Sequence, residues 1–148
     1  MKYRNEILCG IIAAAIVLID QFIKMVVAKS IPLHQEIARL GSVFSITYSQ
    51  NIGASFGILQ GKTTFLIWFS VAALMGIVWY LRKTPARMVP FVALIAGGAV
   101  SNLIDRVNLG YVVDYVNFWY IPTFNIADLA ITIGTIGVGY LMYKKEKV

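Results

Sequence analysis

Four apolar stretches, at 7–28, 63–81, 88–104 and 124–143, dominate this chain and dictate its architecture. Each approaches the about 20 residues that a helix needs to cross a bilayer. The second and third carry no charge and are bounded by Lys62, by Arg82 and Lys83, by Arg87, and by Asp105. Of 148 residues 59% are hydrophobic and only 14% are charged, whereas about a quarter are charged in an ordinary soluble domain. A mean hydropathy of +0.75 leaves too little polar surface to clothe a water-soluble globule, which excludes a soluble enzyme. The net charge of +6 comes from bases at the ends of apolar runs, not from a stripe with interleaved aromatics, so nucleic acid is not expected as a partner. The length suits one integral-membrane domain over 1–148.

The first stretch superficially resembles a signal peptide, with Lys2 and Arg4 ahead of it and Val26-Val27-Ala28 near its end. Three further spans favour an uncleaved helix. Lys2, Arg4, Arg82, Lys83, Arg87, Lys144, Lys145 and Lys147 fall on one side, and Lys29, Arg39, Lys62 and Arg106 on the other. Both termini are therefore expected in the cytoplasm. Trp79, Tyr80, Tyr140 and Tyr143 would mark the inner interface, with Tyr111, Trp119 and Tyr120 at the outer one. The link 82–87, with Pro85, joins the second and third spans as an antiparallel hairpin.

The outer segments 29–62 and 105–123 are too long for simple turns and are where function is expected. Phe44, Ile46 and Tyr48 alternate with Ser45, Thr47 and Ser49, the period of a half-buried strand. Asn108-Leu109-Gly110 reads as a turn into the strand-forming run 111–116. A mainly α membrane protein with a small extracytoplasmic β-sheet follows. Gly97 with Ser101, and Ala130 with Gly134, have the small-xxx-small spacing of close helix packing, a fold feature without chemistry.

Counting about 1.5 Å per helical residue from the cytoplasmic ends puts Asp20, Asn102 and Asp128 at one depth, near the outer interface. Lys24 and Arg106 lie slightly further out. Charges within a membrane are costly, face the bundle interior and mark functional sites. Each also has a plain structural reading. Asp20 and Lys24 are spaced i,i+4 and can be a simple ion pair. Asp105-Arg106 can end a helix at the headgroups with Arg106 snorkelling. Asp128 follows Asn125 by three, the spacing of an N-cap and its acidic N3 partner. Asp114, between Val113 and Tyr115, has no such explanation.

Cys9 and His34 are single and far apart, so neither a disulfide nor a Cys/His or His-rich metal site is expected, and no metal or cofactor is required. Lys24 near Ser42, Ser49 or Ser55 would allow a Ser/Lys peptidase. Paired carboxylates offer the alternative: two close acids share a proton, so one acts as acid while the other acts as base. Asp114 and Asp128 suit those roles, although 13 intervening residues do not by themselves bring them together. A non-enzymatic reading, a proton- or cation-coupled carrier using Asp20, Asp114 and Asp128, accounts for the acids alone.

Five segments in order resemble the bacterial signal peptidase II family. They are Asp20-Gln21-Phe22-Ile23-Lys24, residues 51–57 beginning Asn51-Ile52-Gly53, residues 98–106 ending Asp105-Arg106, Val112-Val113-Asp114-Tyr115, and Phe124-Asn125-Ile126-Ala127-Asp128. The resemblance covers essentially the whole chain. It implies an aspartic peptidase of the bacterial inner membrane, a monomer in contact with membrane lipid, whose site lies near the outer leaflet. The implied substrate is a diacylglyceryl-modified prolipoprotein, cut on the amino side of the lipidated cysteine. Asp114 and Asp128 would be the dyad. Asn51, Gly53, Asn102, Arg106 and Asn125 would shape the site and hold substrate, while Asp20, Lys24 and Asp105 would give structural support. The family more often has alanine where Ser55 stands and serine where Leu129 stands, which bears on local packing.

Overall fold

A computed structural model describes residues 3–40, 43–53, 59–118 and 121–146. Lys2, Ser42, Ser55, Trp119, Tyr120 and Lys147, named above, lie outside the described residues. The elements in chain order are α1 (Arg4–Ser30), β1 (Glu36–Leu40), β2 (Phe44–Asn51), α2 (Thr63–Leu81), α3 (Val89–Leu109), β3 (Val112–Phe118), β4 (Ile121–Phe124) and α4 (Ile126–Glu146). A 3-10 turn, Ala86–Met88, leads into α3. All four helices are long and apolar enough to cross a membrane.

Helix α3 is the hub, packing on α1, α2 and α4. Half of its most apolar stretch is buried, against 17%, 11% and 17% for α1, α2 and α4. Close approach supplies the packing. A Cβ on Gly97 would collide with the backbone of Ala13 in α1, and one on Gly98 with the carbonyl of Ala127 in α4. At the end holding the termini, Cys9, Leu81, Val89 and Ala93 form a small apolar cluster, consistent with a filling role for Cys9.

The expected helix ends need correction at α3 and α4. Asp105 and Arg106 do not terminate α3; it runs five residues beyond 104, to Leu109, where Gly110 adopts φ 83° and closes the cap by donating its N–H to the Arg106 carbonyl. The helix continues because Asp105 is buried and paired, so its charge is no signal of exposure. Phe124, expected in the fourth span, instead ends β4, and α4 starts at Ile126.

The four strands form an antiparallel sheet in the order β1-β2-β3-β4. Strands β1 and β4 had no clear period in the sequence. The alternation in β2 does not divide into buried apolar and exposed polar positions: Ser45 and Thr47 are buried, whereas Phe44 and Ile46 are only half-buried. The reason is local. Thr47 donates its hydroxyl to the Gln35 carbonyl, Ser45 accepts from Asn117, and a register shift falls between Ile46 and Ser49. Val27 and Ile31 at the end of α1 pack with Tyr48, Val113 and Tyr115, fixing the sheet on the bundle. That junction carries the polar site.

Candidate active site

The first turn of α4 organises the site. A helix leaves its first N–H groups without intrahelical partners, and here other parts of the chain satisfy them. Ile126 N–H donates to Tyr115 Oη (3.1 Å), Ala127 N–H to Asp20 Oδ1 (3.2 Å) and Asp128 N–H to Asn125 Oδ1 (2.9 Å). The Asn125 N–H in turn donates to Asp128 Oδ2 at 3.3 Å, completing a reciprocal capping box. The helix-end role of Asn125 and Asp128 is thus real. It does not exhaust either side chain.

Asn125 also donates from Nδ2 to Asp114 Oδ1 at 2.8 Å, and Asp128 Oδ1 accepts from Asn102 Nδ2 at 2.8 Å. The fold therefore brings Asp114, on β3, beside the N-terminus of α4, and both carboxylates line one cavity of about 420 Å³. Ser49, Asn51, Gly53, Phe124 and Leu129 are among the other lining residues. Asn102, Arg106 and Asn125 stand behind the carboxylates, outside that lining.

Three asparagines present their donors to the two carboxylates. An asparagine amide has an acceptor and a donor end of nearly equal size, and its partners decide which way it faces. Asn51 accepts the Gly53 N–H on Oδ1 (2.9 Å), so its Nδ2 faces Asp114 Oδ2 (3.0 Å). Asn125 is oriented by the Asp128 N–H, and Asn102 by the Lys24 ammonium at 2.8 Å. Arg106 Nη2 donates to the Gly53 carbonyl at 3.0 Å, holding the turn that carries Asn51. Gly53 thus contributes through both of its backbone polar groups.

Beside these carboxylates, Asp20 and Lys24 form the expected i,i+4 pair (2.8 Å), but as part of a larger network. Lys24 Nζ also pairs with Asp105 Oδ2 at 2.9 Å. Asp20 further accepts from Ser101 Oγ (2.6 Å) and Tyr115 Oη (3.1 Å). Asp105 accepts from Gln21 Nε2 (2.7 Å) and the Val113 N–H (3.0 Å), tying α3 to β3. Among the described residues, no buried side-chain nitrogen or oxygen lacks a partner. Lys24 Nζ is engaged by Asp20, Asp105 and Asn102, and no serine hydroxyl is among these partners as a Ser/Lys mechanism would need.

Gln21, Ser101 and Tyr115, to which the sequence assigns no site role, join this network. The small-xxx-small spacing of Ser101 predicts close packing without chemistry, and the structure corrects this: its hydroxyl donates to the buried Asp20 carboxylate. The available signal was its place one residue before Asn102 on a helix facing Asp20. Burial, and next the Asp128 charge, push the Asp114 carboxyl up to about 7, against the opposing effects of Asn51, Lys24 and Asn125. Asp114 can therefore keep a proton near neutrality. The described residues contain no group of three or more His, Cys, Asp or Glu side chains placed to hold a metal.

A family model for signal peptidase (SPase) II matches residues 12–144. The chain is 41% identical over 138 residues to a lipoprotein signal peptidase of Caldanaerobacter subterraneus, covering 91% of this chain and 95% of the relative. It is 39% identical over 140 residues to that of Halothermothrix orenii, covering 93% and 97%. A solved bacterial membrane enzyme superposes with a TM-score of 0.89 at 32% identity, over 93% of this chain and 88% of the other. A second such structure gives 0.83 at 32% identity, over 90% and 91%.

Proposed function

Since this chain belongs to the signal peptidase II family, we propose that it is an aspartic endopeptidase that removes the signal peptide from diacylglyceryl-modified prolipoproteins. The observation that carries this reading is the convergence of Asp114 and Asp128 on one cavity, linked by Asn125. In this mechanism Asp114 is the resting acid and Asp128 the base. Asp128 accepts two hydrogen bonds, from Asn102 and from the Asn125 N–H, at the positive end of α4. A protonated Asp114 retains acceptor capacity for Asn51 and Asn125 while its own proton is free to donate.

Asp128 takes a proton from a water whose oxygen attacks the scissile carbonyl carbon, and Asp114 gives its proton to the carbonyl oxygen. The resulting gem-diol collapses as Asp128 returns its proton to the departing amine and Asp114 recovers one from a hydroxyl. The C–N bond breaks, and both carboxyls regain their starting states. The chain acts as a single membrane domain, with both termini in the cytoplasm and the site near the outer leaflet of the inner membrane. The assignment of bases to opposite faces supports that orientation. The chain acts as a monomer.

The substrate assignment is tested by incubating the purified protein in lipid discs with matched prolipoprotein peptides, with and without diacylglycerol on the cysteine, and sequencing products by mass spectrometry. Cleavage on the amino side of the modified cysteine alone is expected. Equal cleavage of the unmodified peptide would remove the lipid from the recognition.

A further inference from the structure

The Asp20–Lys24 pair needs only one of the lysine's three N–H groups, and Asp105 takes the second. The third goes to a neutral acceptor, Asn102 Oδ1, at 2.8 Å. From the same amide, Nδ2 reaches Asp128 Oδ1 at 2.8 Å. We propose that Lys24 is a positioning residue for the reaction: by holding the carbonyl oxygen of Asn102, it keeps that amide's N–H groups turned toward Asp128. This inference rests on the dyad reading and adds a route by which a residue outside the cavity wall acts on the base.

The argument is one of amide orientation. A flip of Asn102 would set its carbonyl oxygen against the Asp128 carboxylate and its N–H groups against an ammonium, repulsive at both ends. The other donor to Asn102 Oδ1 is Asn125 Nδ2 at 3.2 Å, which also contacts the Val113 carbonyl at 3.2 Å and Asp114 at 2.8 Å. That neutral, divided contact is weaker than the charge-assisted bond from Lys24. Lys24, Asn102 and Asp128 are all held between fixed helices, and Lys24 and Asn102 are buried, with little solvent to substitute for the missing donor. The charged and titratable groups that act on Asp128 include Asp114 and Tyr115 from β3, Arg106 from α3, and Asp20 and Lys24 from α1. Lys24 could therefore act on the dyad through its charge alone, and the test must separate that from a relay through Asn102.

The experiment is a double-mutant cycle of Lys24→Met and Asn102→Ala in lipid discs, reading kcat, KM and the pH profile of kcat for a lipidated peptide. Lys24→Met is expected to lower kcat about 100-fold through misplacement of the base, with KM unchanged, and to move the acid limb of kcat upward. The double variant should match Asn102→Ala alone in kcat and in the limb. Additive losses, or a loss with an unmoved limb, would overturn the relay. Lys24→Met strands buried carboxylates, so if the single variant does not fold the same cycle is run on an Asp105→Asn background, where removal of Lys24 leaves one carboxylate fewer without its partner. Asp128→Asn is assayed in parallel. Retained cleavage there would refute the dyad itself, whereas its loss with an additive cycle would refute only the role of Lys24.

Discussion

Asn125 Nδ2 lies 2.8 Å from Asp114 Oδ1, joining the residue that caps α4 to an acid eleven positions earlier on β3. The helix start and the dyad are thereby one structure. Asn125→Ala should cost about 1 kcal/mol in stability through the lost cap. It should also lower kcat by about 100-fold, because Asp114 loses an oriented donor. Thermal unfolding and turnover of the same preparation would check both. A loss of stability with unchanged turnover would reduce Asn125 to a cap.

Asp114 links stability to pH in a defined direction. Its folded-state pKa of about 7 lies above the ordinary 3.8, so the folded state binds this proton more tightly than the unfolded state. The stabilisation is complete below about pH 4 and is lost as pH rises through about 7, a contribution on the order of a few kcal/mol. Asp114→Asn should flatten that part of the stability profile and be more stable than wild type near pH 8. Denaturation midpoints in lipid discs between pH 4 and 8 provide the measurement, and parallel profiles would contradict the assignment.

Asp20 joins α1 to three other elements through Ser101, Tyr115 and the Ala127 N–H. Asp20→Ala should destabilise the fold by about 3–5 kcal/mol, the range for breaking a buried pair. Hydrogen exchange should rise at Ile126 and Ala127, whose N–H groups depend on this cluster. Unchanged exchange there would show that α4 holds its start without Asp20.

Gly98 allows the backbone of α3 to approach the Ala127 carbonyl, one residue before Asp128 and one turn before Asn102. Gly98→Ala should cost about 1–3 kcal/mol by overpacking and depress turnover as α4 is pushed outward. Gly139 has nothing within contact of an added Cβ, so Gly139→Ala should be neutral or slightly stabilising. Similar melting temperatures for the two variants would contradict the packing account.

Legibility in the sequence followed the physics of each feature. The apolar runs exposed α2 to the residue, 63–81, because its flanking bases and lack of internal charge coincide with its ends. The extent of α3 was hidden because Asp105 and Arg106 resemble a membrane boundary until the partners that bury them are known. The polar layer was readable from helical rise alone, and Asn102 does meet Asp128. The approach of Asp114 to that layer was not, since it depends on sheet register and on Asn125 bridging two elements. The hydrogen bond of Ser101 is not legible, because small residues in membrane helices signal packing more often than hydrogen bonding.

The central claim is that Asp114 and Asp128 act as one catalytic pair. The most direct measurement is cleavage of a diacylglyceryl-modified prolipoprotein by wild type, Asp114→Asn and Asp128→Asn in the same lipid, with folding of each variant verified by thermal unfolding. The account predicts cleavage by wild type and loss of at least about 1,000-fold in each folded variant, since neither acid can replace the other. Substantial cleavage by either folded variant would contradict it.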